Sequence, residues 1–262
     1  MVVSSDQLLL VTHVALENSG DGFWIDDQTA QGLVRWCENF DSVAYAGISV
    51  PAIEMAQQSS ITWTPIASLP CASRIEIIAM PHAYRIRNFV ATYRRSRALL
   101  ARRITESRYL CYTLGALFGD WGGVAALESI RQRRDFAVWF DRVEHEVMRS
   151  DLPSLPWKRR VKQTLSIPAM QYYHRHLTRH SRLGLFQGKD CFEHYRRFTD
   201  KAFCMYDTHT QESDFIDAAA LDEKIADVGA GALLRLCYAG RAADMKGPLD
   251  WLTALAKLRD AG

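Results

Sequence analysis

The chain has 262 residues, 48% of them hydrophobic, which is enough apolar material for one large core or two modest ones and excludes a disordered or fibrous protein. Its 32 basic and 30 acidic residues leave a net charge of +2, too balanced for bulk charge to imply a nucleic-acid partner. The six cysteines stand far apart without a C-x-x-C pair, which argues against a disulfide framework or a cysteine zinc site and for reduced thiols in cytoplasm.

The first residues, MVVSSDQLLLVTHVALENSGDG, lack a basic leader region, and the apolar run from Leu8 to Ala15 is interrupted by Thr12 and His13. That pattern is neither a signal peptide nor long enough to span a bilayer. Short apolar runs then alternate with segments of helical period. Strands are predicted at Leu8–Ala15, Ser42–Val50, Ser60–Ile66, Arg74–Met80, Tyr109–Thr113, Phe136–Phe140, Leu183–Phe186, Ala202–Tyr206 and Leu233–Ala239. The alternation predicts an α/β fold, a Rossmann-like parallel sheet with helices on both faces.

Among the helices, one starts near Asp26 or Asp27 and runs through LVRWC. A second, Val124–Arg131, has Asp120 upstream as its cap, because a carboxylate there accepts the exposed amides of the first turn. From Arg85 to Arg103 the chain carries seven arginines and no acidic residue. Helical projection puts Phe89, Val90, Tyr93, Leu100 and Ile104 on one stripe and Arg87, Arg94, Arg95 and Arg102 largely opposite. Such a helix either packs on a core with a solvated basic face or meets anionic lipid. The segment Leu155–His180 reads as a helix that bends or breaks near Pro168. His174, His176 and His180 lie on it at spacings that do not share one face, so a wetted basic helix, rather than a metal site, is the expectation.

AAALDEKIADVGAGA, residues 218–232, is read as a linker between a domain over 1–217 and the start of a second one over 233–262. In that tail an apolar strand ends at Gly240, which permits a tight turn, and Arg241 follows at the strand's carboxyl end, where open α/β sheets place ligands. Lys246 and Gly247 come next, then Pro248 in a first helical turn, with Trp251, Leu255 and Leu258 at helical spacing. Two cations and a helix amino terminus suit a diphosphate; solvated charges on an ordinary turn are the other reading.

The stretch Tyr238–Leu258, YAGRAADMKGPLDWLTALAKL, is similar to the corresponding segment of retaining glycosyltransferases of the GT-B fold, the group 1 or family 4 type. What precedes it resembles their acceptor-side domain. The resemblance implies transfer of a sugar, with retention, from a nucleotide-sugar donor to a glycan or lipid-linked acceptor. Arg241 and Lys246 would hold the diphosphate beside Gly240 and Gly247, with no metal or other cofactor. In such enzymes a glycine-rich loop after the first strand approaches the donor. Ser19-Gly20-Asp21-Gly22 stands at that place, although a surface turn explains it equally. LGALFGDWGG, residues 114–123, would form an acceptor-side wall.

Many relatives place a histidine after the strand matching Phe136–Phe140, where this chain has Asp141. Asp141 either binds a sugar hydroxyl or pairs with Arg142, and His145, one helical turn on, is the second catalytic candidate. His145-Glu146 is not a zincin motif, since Arg149 replaces the second histidine. The family continues well beyond the Lys-Gly helix, into an E-x7-E motif, so the reading is of a truncated or split enzyme with weak turnover. The alternative is a non-catalytic α/β binding or docking module derived from one. A cytoplasmic location follows, with peripheral contact to an anionic membrane through Arg85 to Arg103.

Overall fold

Leu8 and Leu10 pack into one core while Leu9 and Val11 pack into another, because successive residues of a strand point to opposite faces of a sheet. This is the first strand of a computed structural model that describes residues 6–19, 22–50, 61–206, 215–233, 235–239 and 247–260. The chain divides into two compact units, Met1–Asp207 and Thr208–Gly262.

The first unit is built on one nine-stranded sheet. Its strands are β1 (Gln7–Ser19), β2 (Gly22–Asp26), β3 (Ser42–Val50), β4 (Trp63–Pro65), β5 (Ile75–Pro81), β6 (Tyr109–Thr113), β7 (Ala137–Phe140), β8 (Leu183–Gln187) and β9 (Ala202–Met205). Seven of them run parallel in the order β5-β3-β1-β6-β7-β8-β9. The expected fold class is the one observed. Two antiparallel pairings are added to it, β1 with β2 and β2 with β4, neither of which the apolar pattern announced. β2 and β4 are short and only partly buried, so they lack the continuous apolar run of a central strand.

Helix α1 (Asp27–Asn39) covers one face with Ala30, Leu33 and Cys37. On the other face lie α2 (Ile86–Glu106), α3 (Trp121–Gln132), α4 (Glu144–Asp151), α5 (Trp157–His180) and α6 (Gly188–Tyr195). Leu100, Ile104, Val124, Leu177 and Tyr195 from these helices meet Val11, Ala46, Val138 and Phe186 from the strands. Within α2 the apolar stripe is as expected except at Val90, which is 70% exposed. α5 runs through Pro168 without interruption, contrary to the expected break. The carbonyl that Pro168 leaves without its usual helical partner belongs to Thr164, which is exposed and open to water.

In the second unit the stretch read as a linker is mostly a helix, α7 (Ala218–Gly229). Alanine, leucine, glutamate and lysine dominate it, and Asp217 caps it by accepting from the amides of Ala219 (2.8 Å) and Ala220 (3.3 Å). Residues 235–239 are not in a strand, although their apolar run predicts one; among the described residues they have no sheet neighbour to pair with. The helix expected after Lys-Gly is present as α8 (Pro248–Asp260).

Candidate functional site

From β1 the chain steps to β3 and β5 on one side of the sheet and then returns to lay β6 on the other. The strand order therefore reverses between β1 and β6. Crossovers leave this point in opposite directions, so a crevice opens at the carboxyl ends of the two strands, the usual ligand position in such sheets.

A β-bulge brings His13 to this crevice. Val11 pairs with Ala46 and Ala15 with Ile48, so β1 spends two more residues over that interval than β3 does. The buried Thr12 hydroxyl sits 2.9 Å from the Tyr45 phenol oxygen and 3.4 Å from the Ala46 carbonyl, and it accepts from the Val14 amide at 3.3 Å. These contacts hold the extra residues in place. Opposite them lies Gly47, where a Cβ would come within 2.7 Å of Leu16 Cγ and 3.0 Å of the Val14 carbonyl oxygen. The fold over the bulge thus requires glycine there. Bulges beside sites re-aim side chains in this way.

The His13 ring is held from two sides. Its Nδ1 lies 3.2 Å from Thr113 Oγ1 at the end of β6, and its Nε2 lies 3.7 Å from Asp141 Oδ2 just beyond β7. Thr113 Oγ1 is also 3.5 Å from the Val11 carbonyl, to which it donates. The Thr113 hydroxyl and the Asp141 carboxylate thus face the two ring nitrogens of His13 from opposite sides. His13, Leu114, Gly115, Asp141, Arg142 and Glu144 line a cleft of about 200 Å³. A neighbouring cavity of about 380 Å³ shares Asp141 and Arg142 and continues along the carboxyl ends to Gln187, Lys189 and Asp190.

Asp120 builds the wall. As the cap of α3 it accepts from Gly122 (2.9 Å) and Gly123 (3.4 Å) through one oxygen, and from Gly115 (2.8 Å) and Ala116 (3.3 Å) through the other. One side chain thereby ties the loop 114–119 to the helix start. Burial pushes its carboxyl upward from the usual range, while the Gly115 amide and nearby His13 pull it down. α3 also lies so close to β6 that a Cβ on Gly122 would meet the Thr113 carbonyl oxygen at 2.1 Å.

Of the residues singled out in the sequence, Asp141 is in this cleft, with its carboxylate against His13, while Arg142 pairs with Glu144 at 2.8 Å. His145 is elsewhere. It is 1% exposed, does not line the cleft, and faces His194 with ring centroids 4.8 Å apart. Burial, with His194 beside it, pushes the His145 imidazole below its usual range. His174 is buried too, pushed down to about 3 by desolvation, while the His176 and His180 rings lie tilted against each other, 4.4 Å between centroids, on the outer side of the same helix. Gly22 opens β2 at φ +124°, and Gly247 precedes α8 at φ +65°, both backbone states that favour glycine. Gly20, Gly240, Arg241 and Lys246 lie outside the described residues. His13 and Thr113 were missed as site residues. The signal for His13 was the polar interruption of the first apolar run.

No protein-family model matches the sequence, and no curated protein matches it. Solved structures similar to the chain include the MurG of Acinetobacter baumannii, at 7% identity and a TM-score of 0.35, covering 72% of this chain and 43% of that one. The apo UGT2 of Phytolacca americana is similar at 8% identity and 0.45, covering 80% and 53%. A UGT transferase from Siraitia grosvenorii in complex with UDP is similar at 12% and 0.42, covering 84% and 54%. The chain thus spans about half the length of these structures or less.

Proposed function

We propose that this chain carries the acceptor side of a glycosyl transfer from a nucleotide sugar, with His13 as the general base. The observation that carries the reading is the His13 imidazole at the strand-order reversal, held by Thr113 and faced by Asp141. An acceptor hydroxyl in the cleft gives its proton to the His13 imidazole as its oxygen bonds the anomeric carbon, and the bond to the donor diphosphate breaks. The Asp141 carboxylate stabilises the imidazolium that forms. The departing diphosphate takes the bonding electrons, and Arg241 and Lys246, with Gly240 and Gly247, are proposed to hold it. Gly20 and Gly22 are proposed to let the backbone approach the donor.

The sequence resemblance implies retention at the anomeric carbon. A positioned base is instead what a single displacement needs, and it favours inversion. The acceptor is proposed to be a glycan or a lipid-linked sugar. The exposed Arg85, Arg87, Arg94 and Arg95 of the α2 region are proposed to contact anionic membrane. None of the described helices is long and apolar enough to cross a membrane.

Calorimetric titration with UDP- and GDP-sugars, with Arg241→Ala and Lys246→Ala as controls, tests the donor. Transfer assays with His13→Ala test the base, and nuclear magnetic resonance of the first-formed product reads its anomeric configuration. Expected is a loss in kcat of roughly 10²- to 10⁴-fold for His13→Ala with donor affinity unchanged. Absence of binding to any nucleotide sugar removes the glycosyltransfer reading; an unchanged kcat removes His13 as base.

A further inference from the structure

Behind the cleft, on the far side of Asp141–Glu144, α4 and α6 bring together His145, Glu146 and His194. Each offers one donor atom, and all three donors lie within 4.8 Å of one another. His194 Nδ1 is 3.3 Å from Glu146 Oε1, and the two imidazoles face each other at 4.8 Å between centroids. His145 is buried to 1% exposure, yet among the described residues neither of its ring nitrogens has a hydrogen-bond partner. A buried imidazole left with both nitrogens unsatisfied costs roughly 1–3 kcal/mol, so a fold that keeps one there calls for a ligand.

We infer that His145, Glu146 and His194 form a binding site for a divalent transition-metal ion, zinc by the chemistry of its donors. Two imidazoles and one carboxylate are a borderline nitrogen and oxygen set, which suits zinc and discriminates against calcium and magnesium, both of which want oxygen ligands. Tetrahedral donors around zinc stand about 3.3 Å apart, so side-chain rotation within the present 4.8 Å cluster closes the set.

An entry path exists on each side. Glu146 lines the cavity along the carboxyl ends of β7 and β8, and His194 lines a cavity of about 230 Å³ between α5 and α6. Bound there, the ion fastens α4 to α6. Each of these helices is only eight residues long, and the first residue of α4, Glu144, lines the cleft that holds His13. The site is thus a staple behind the catalytic wall.

The test uses the whole chain, stripped with chelator and titrated with Zn²⁺ by calorimetry and with Co²⁺ by visible absorption, with thermal midpoints recorded alongside. Expected are one ion per chain, a raised thermal midpoint, and an affinity weakened roughly tenfold or more in both His194→Gln and Glu146→Gln. Both changes fall on partly exposed residues, so the fold is retained. The double variant His176→Ala/His180→Ala removes the histidine pair on the outside of α5 and is expected to bind as the parent does. The inference is overturned if the parent binds no zinc, if His194→Gln leaves affinity unchanged, or if the double variant alone abolishes binding.

Discussion

Glu128 shows what a buried charge contributes here. Its side chain is 1% exposed, yet it accepts from Arg97 (2.9 Å), Arg131 (3.0 Å) and Gln132 (2.9 Å), which hold its carboxyl down at about 2. Since the folded value lies below the ordinary 4.5, the carboxylate contributes stability that is fully present above pH 4.5 and is lost as pH falls toward 2. Because Arg97 and Arg131 are partly exposed and water screens the pairs, the contribution is about 1–2 kcal/mol. Urea midpoints measured from pH 7 to pH 2 are expected to fall more steeply for the parent than for Glu128→Gln across that window. Parallel curves would show that the pairing stabilises nothing. At the same scale Asp120 was legible in the sequence, because a carboxylate just before a helical segment has a local job that needs only its neighbours. His13 was not. Its role depends on Thr113 and Asp141, which local spacing does not connect to it.

At the scale of elements, β3 and β6 stand where the apolar runs place them, since a fully buried parallel strand writes its own boundaries. β4 falls inside the strand expected at Ser60–Ile66, but the bulge in β1 and the strand β2 were not legible, because a register shift is a property of two strands and a short half-exposed strand carries little apolar signal. The seven arginines of Arg85 to Arg103, six in α2 and one at its cap, divide into two groups. Arg97, Arg102 and Arg103 engage Glu128, Glu106 and Glu76, leaving Arg85, Arg87, Arg94 and Arg95 on the exposed surface. If this face meets lipid, sedimentation with vesicles rich in phosphatidylserine will carry the protein down at low salt and release it at high salt. Reversal of Arg87 and Arg94 to glutamate is expected to weaken that binding; sedimentation equal on neutral and anionic vesicles would refute the proposal.

At the scale of the whole molecule, the two cores contain, among the described residues, none beyond Met205. Residues 1–207 expressed alone are therefore expected to unfold cooperatively, with a thermal midpoint within a few degrees of that of the complete chain. A molten product without a cooperative transition would show that the rest of the chain is needed to hold the sheet.

The pairing of β1 with β6 joins residues about a hundred positions apart, and His13 meets Thr113 across it. Contacts that remote form late, because the intervening chain must first surrender its freedom. His13, the proposed base, therefore emerges from synthesis long before the groups that orient it, and it stays unoriented until the sheet closes around it. Recovery of activity during refolding would then report the final closure of the sheet, well after the helices have formed.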